Sequence, residues 1–183
     1  MLLNGAKHLG GCKLYTWDTP TPAPFNCAQT RPLATLFSQT TKFTCGAAAL
    51  STVASIFGVN LTEENAANIC GTMPGKGTCN QVLKSVASSF LPVTDCGENV
   101  YQGGLAIANI RNQISKGGHY VVILGEKDNQ YRYFCPKLGV IVVTHKDDIR
   151  WVNTSEELRN WSLCFDMKHD LYDGTFTTQG LLS

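Results

Sequence analysis

The chain has 183 residues, 43% of them hydrophobic and 16% charged, which is enough apolar material for one domain with its own core. Fifteen basic against fourteen acidic side chains give a formal net charge of +1 with no long run of either sign, which removes the electrostatic basis for a nucleic-acid or anionic-membrane partner. No secretory pattern opens the chain and no apolar stretch is long enough to span a bilayer, so the expectation is a soluble protein, cytoplasmic or delivered to a host cytosol.

Residues 1–37 hold Pro20, Pro22, Pro24 and Pro32 and show no sustained period; they read as an extended arm. From Thr44 the apolar positions Ala47, Leu50, Val53, Ala54 and Phe57 lie on one helical face, and Gly58 closes the helix at a favoured cap position. "LTEENAANIC" follows as a helix with an acidic first turn. "TCNQVLKSVASSF" is expected as another, with Thr78 and Gln81 at capping-box spacing. "GGLAIANIRNQISKGG" reads as a further helix ending at the glycine pair 117–118.

Beyond that pair the period changes. "HYVVILG", "QYRYFCP" and "GVIVVTH" are β-branched and aromatic runs separated by turn sequences, the pattern of an antiparallel meander. "NTSEELRNW" offers a short capped helix and "LCFDM" a last strand. Helices first and strands second imply an α+β domain over 38–165, with 1–37 as arm and 166–183 as tail.

Cys45 precedes the first helix, where unsatisfied backbone N–H groups favour a thiolate and so are expected to lower the thiol pKa. Gly46 would let the backbone approach a substrate. Attack on an acyl carbon also needs a base and a donor for the oxyanion. His119, opening the first strand of the meander, is the natural base, and Gln39, six positions before Cys45, can supply a side-chain amide. The other cysteines, at 12, 27, 70, 79, 96, 135 and 164, form no Cys-x-x-Cys pair. They read as reduced thiols, even though Asn60, Asn153 and Asn160 stand in glycosylation sequons.

Gln39-x5-Cys45-Gly-Ala-Ala-Ala-Leu, a helix closing at Gly58, and His119-Tyr-Val-Val opening a strand together resemble the double-glycine leader peptidases. These are the papain-like cysteine peptidase domains of bacteriocin-exporting transporters and their stand-alone relatives. The resemblance covers about Gln39 to Trp151 and implies a papain-like α+β fold. It also implies a thioester mechanism with Cys45 as nucleophile, His119 as base and Gln39 in the oxyanion hole. The family carries an aspartate before a proline on the next strand to orient the histidine, whereas here Cys135 precedes Pro136. Cys135 itself or Asn129 is the candidate replacement, with Asp128, Asp147 and Asp148 also available.

Several readings follow. The chain is a peptidase or isopeptidase acting on a peptide or protein, with no cofactor and no metal; or a deamidase or acyl-transfer enzyme on the same fold; or a silent peptide-binding module in which Cys135 has ended turnover. A zinc site of Cys45, His119 and Cys135, and a Cys45–Cys135 disulfide, are the other uses of the same residues. Cleavage after a glycine pair, including self-trimming at Gly10–Gly11, is a further implication of the resemblance. Oligomeric state is left open.

Overall fold

The computed structural model describes residues 33–94, 103–111, 118–151, 161–167 and 171–179. Among the described residues a short strand, β1 (Thr35–Phe37), precedes three helices, α1 (Cys45–Ile56), α2 (Glu63–Ile69) and α3 (Asn80–Ser88). Most strands follow: β2 (Val93–Thr94), β3 (Ala106–Arg111), β4 (Gly118–Lys127), β5 (Gln130–Cys135), β6 (Val140–His145), β7 (Arg150–Trp151) and β8 (Ser162–Phe165). They form an antiparallel sheet in the order β2-β8-β3-β4-β5-β6, with β7 also paired to β3. The α+β class expected from the sequence is the class found.

α1 is buried at every position from Gly46 to Ala54, which suits a helix with few polar side chains and a triplet of alanines. It packs on β4, with α2 and β1 also against it. Leu50 and Val53 of α1, Leu83 of α3, Ile107 of β3, Val122 of β4 and Phe134 of β5 share one core between helices and sheet. Val121, Ile123, Ala108 and Tyr131 pack a second cluster on the other face. With both faces covered, β4 reads as a continuous apolar run rather than an alternating one.

Two expectations are corrected. Residues 106–111, expected in a helix, are strand β3, paired to β4 on one side and to β8 on the other. Its residues are buried on both faces, so the helical period seen there was only density of apolar side chains. The Thr78–Gln81 capping box is not formed: Cys79 is the N-cap of α3 without a side-chain cap bond, and the Thr78 hydroxyl meets that of Thr72 at 2.7 Å. β1, at the end of the segment read as arm, runs parallel to β9 (Thr177–Gln179), within the segment read as tail. The expected helix at 153–161 lies almost wholly outside the described residues. No helix among the described residues is long and apolar enough to cross a membrane.

Candidate active site

Cys45 is the first residue of α1 and is half-buried. Thr44, its N-cap, makes no capping bond to the helix; its hydroxyl accepts instead from Thr41, from the backbone N–H at 3.2 Å and from the hydroxyl at 3.0 Å. Burial raises the Cys45 thiol above its ordinary value of 9.0, against the pull of the backbone N–H groups of Tyr120, Gly46 and Cys45 itself. The helix terminus therefore acts in the direction expected from the sequence, and burial outweighs it. At neutral pH the sulfur is a thiol.

Gly46 has a packing reason of its own. A Cβ there would stand 2.8 Å from the Thr78 side chain and 3.0 Å from the Tyr120 ring. The missing side chain thus seats α1 against β4, and approach to a substrate is not needed to explain it.

His119 follows the first residue of β4 and is only 6% exposed. Its Nε2 lies 3.3 Å from Cys135 Sγ at the end of β5. Burial lowers the imidazole to about 4, and the Lys137 charge pushes the same way. Burial also raises the Cys135 thiol, against the N–H groups of Leu138 and Lys137. The contact thus joins two neutral groups. The Gln39 loop reaches the same place: its backbone N–H donates to Pro136 O at 3.0 Å, its Nε2 donates to Thr41 O at 2.5 Å, and its Oε1 is buried without a partner. An amide nitrogen carries two protons, so the bond to Thr41 uses one of them.

The other orienting candidates stand elsewhere. Asp128 and Asn129 form the β4–β5 turn with φ of 50° and 60°, at the far end of β4 from His119. Ten residues of strand separate the two ends by roughly 30 Å. Asn129 Nδ2 meets His145 Nε2 at 2.7 Å, while Asp147 and Asp148 belong to a 3₁₀ turn after β6 near that same end. Of the candidates, the one that touches the histidine is Cys135. Among the described residues no three His, Cys, Asp or Glu side chains converge as a metal centre, and Cys45, Cys70, Cys79, Cys135 and Cys164 are all free thiols.

Cys45 lines a cavity of about 530 Å³ together with Lys42, Phe43, the Gly75–Gly77 turn, Thr78, Asn80, Asn109, Gly118 and Tyr120. Tyr120 is the residue that the sequence reading missed. Its backbone N–H faces the Cys45 sulfur, and its hydroxyl shares a proton between Thr78 O, at 2.9 Å, and Asn80 Oδ1. Asn80 Oδ1 also accepts from Asn109 Nδ2 at 3.2 Å. The signal was adjacency to His119: in an extended strand the next residue turns to the other face, here toward α1.

The family model described as the peptidase C39 family matches residues 34–147. No curated protein matches the chain. Among solved structures, the chain is similar to the peptidase domain of Streptococcus ComA, a bi-functional ABC transporter involved in a quorum sensing pathway. The two are 18% identical with a TM-score of 0.54, over 71% of this chain and 98% of that one. At that identity the likeness is one of fold.

Proposed function

The chain belongs to the peptidase C39 family of cysteine peptidases, and from that membership we propose that it cleaves peptide or isopeptide bonds through a thioester on Cys45. The observation that carries this reading is the position of Cys45: first residue of a helix and in the wall of a cavity that Tyr120, the residue after His119, also lines.

In this mechanism His119, neutral at physiological pH, removes the Cys45 proton as the sulfur attacks the scissile carbonyl carbon. The carbonyl π pair moves to oxygen, and the oxyanion is held by the Cys45 backbone N–H and the free proton of Gln39 Nε2. Collapse breaks the C–N bond, the amine leaves with the proton from His119, and water then hydrolyses the thioester by the same base. Because thiol and imidazole both rest uncharged, the ion pair forms only during attack. Cleavage after a glycine pair is the specificity that the family resemblance suggests. Of the pairs in this chain, Gly10–Gly11 lies outside the described residues.

The test is cleavage of a mixed peptide library with mass-spectrometric identification of new amino termini. Wild type is expected to generate them and Cys45→Ala is not; ammonia release without new termini would point to a deamidase instead. One observation favours a second reading, a silent peptide-binding module: His119 has a thiol where the family has a carboxylate. Peptide capture by wild type, with no product above the Cys45→Ala background, would establish that reading.

A further inference from the structure

Lys42 and Lys76 line the cavity that holds Cys45, and no aspartate or glutamate lines it among the described residues. Both lysines are exposed, yet neither has an ion-pair partner among the described residues. Lys127 and Lys146 differ in this respect, pairing with Asp173 at 3.3 Å and Glu126 at 2.7 Å. With fifteen basic and fourteen acidic side chains the protein has no surplus of carboxylates, so what sets these two lysines apart is their place in the cavity lining beside Cys45. The carboxylate that does reach this loop, Glu63, is occupied by the Thr40 backbone N–H at 3.0 Å and the Thr40 hydroxyl at 2.7 Å.

The backbone fixes where these two residues stand. Lys76 sits in a tight turn where Gly77 N–H donates to Met73 O at 2.9 Å, between Gly75 and Gly77 at φ of 76° and 68°. Such φ values leave glycine the natural residue on both sides of the lysine. Lys42 lies three residues before Cys45, in the loop that Thr41 pins to Thr44. The two segments adjoin: a Cβ on Gly77 would lie 3.5 Å from Phe43 O. The two lysine-bearing segments are therefore neighbours in the cavity lining.

Resting on the peptidase reading above, we propose that Lys42 and Lys76 select peptides carrying an acidic side chain beside the scissile bond. Screened, exposed pairs contribute little singly, but two lysines in one cavity lining act on the same substrate charge, and reversing both turns attraction into repulsion. The expected effect of Lys42→Glu with Lys76→Glu is about a tenfold loss of kcat/KM on acidic peptides, with a matching shift toward basic ones.

The field at Cys45 is tested apart from turnover. Anionic and cationic methanethiosulfonates of similar size are reacted with the full chain, and labelling of the Cys45 peptide is timed by mass mapping. The anionic-to-cationic rate ratio, normalised to that of 2-mercaptoethanol, should exceed one by about tenfold and invert in the double variant. A ratio near one, or one that the double variant leaves unchanged, overturns the proposal even where cleavage is observed. Cleavage sites in the peptide library should be enriched in Asp or Glu within three residues. Cleavage without that enrichment overturns the proposal as well. If wild type cleaves nothing, the peptidase reading fails, and the reagent ratio still decides whether the wall is cationic.

Discussion

His119 and His145 stand at opposite ends of the β4–β6 meander and have opposite surroundings. His145 is exposed; its Nδ1 lies 3.2 Å from the Asp147 carboxylate and its Nε2 2.7 Å from the Asn129 amide. His119 is buried, and the polar partner its ring has among the described residues is a thiol. The partners that would orient a catalytic imidazole are thus at the wrong end. The difference shows what burial costs. At the surface water solvates both members of an imidazole–carboxylate pair, whereas in the interior a carboxylate is tolerated only when its charge is fully matched. Cys135 avoids that cost by being uncharged, and His119 accordingly loses support for its protonated form.

The strongest test exchanges each histidine. His119→Ala should lower kcat/KM on a cleaved peptide by ~10²–10⁴-fold, the usual range for a general base, while His145→Ala should leave it unchanged. Loss of activity in the second variant and not the first would invert the comparison.

Next in size is a stability effect. A histidine of ordinary pKa 6.5 in the unfolded chain and about 4 when folded is held neutral by the native state. Its contribution is whole above pH 6.5 and is lost as pH falls toward 4, because the unfolded chain then binds the extra proton. The amount is on the order of 3 kcal/mol for one site. Urea unfolding of wild type and His119→Gln at pH 7 and pH 4.5 should show a shallower acid loss in the variant, other carboxylates cancelling between them. Parallel slopes would mean that the ring is not buried neutral.

Cys135→Asp brings a carboxylate to His119 and should be smaller in effect, because the new charge must itself be desolvated. We expect the His119 pKa to rise from about 4, read by NMR titration, and turnover to increase by ~10- to 10²-fold, part of the ~10⁴ that such a residue can supply. An unchanged titration would show that the 3.3 Å contact does not govern the imidazole.

Much of this was legible in the residues because the signals are local. The small apolar run after Cys45 and the φ-permissive Gly58 bounded α1, and the turn residues between apolar runs set the meander that brings Cys135 to His119. β3 was not legible: a strand buried on both faces has no alternation, and Ala, Ile and Asn at short spacing fit a helix equally well. The pairing of β1 with β9 joins Thr35 to Thr177, a contact that no window of sequence contains. The direction of the Cys45 shift was missed for a related reason. Helix-terminal N–H groups can be inferred from sequence, but the burial that outweighs them depends on what the rest of the chain packs around the sulfur.

The smallest expected effect is also the sharpest for the comparison. Asn129 sits at φ of 60°, which glycine adopts without strain, so Asn129→Gly relieves the turn by about as much as it costs in unfolded-chain entropy and in the lost bond to His145. Each contribution is on the order of 0.5–1 kcal/mol, and their sum should leave stability within about 0.5 kcal/mol of wild type by urea titration. Turnover should not change, because roughly 30 Å of strand lies between this turn and His119. A large fall in kcat with stability intact would mean that this turn, and not the Cys135 end of the hairpin, governs the buried imidazole, and the two ends of the hairpin would exchange their meaning.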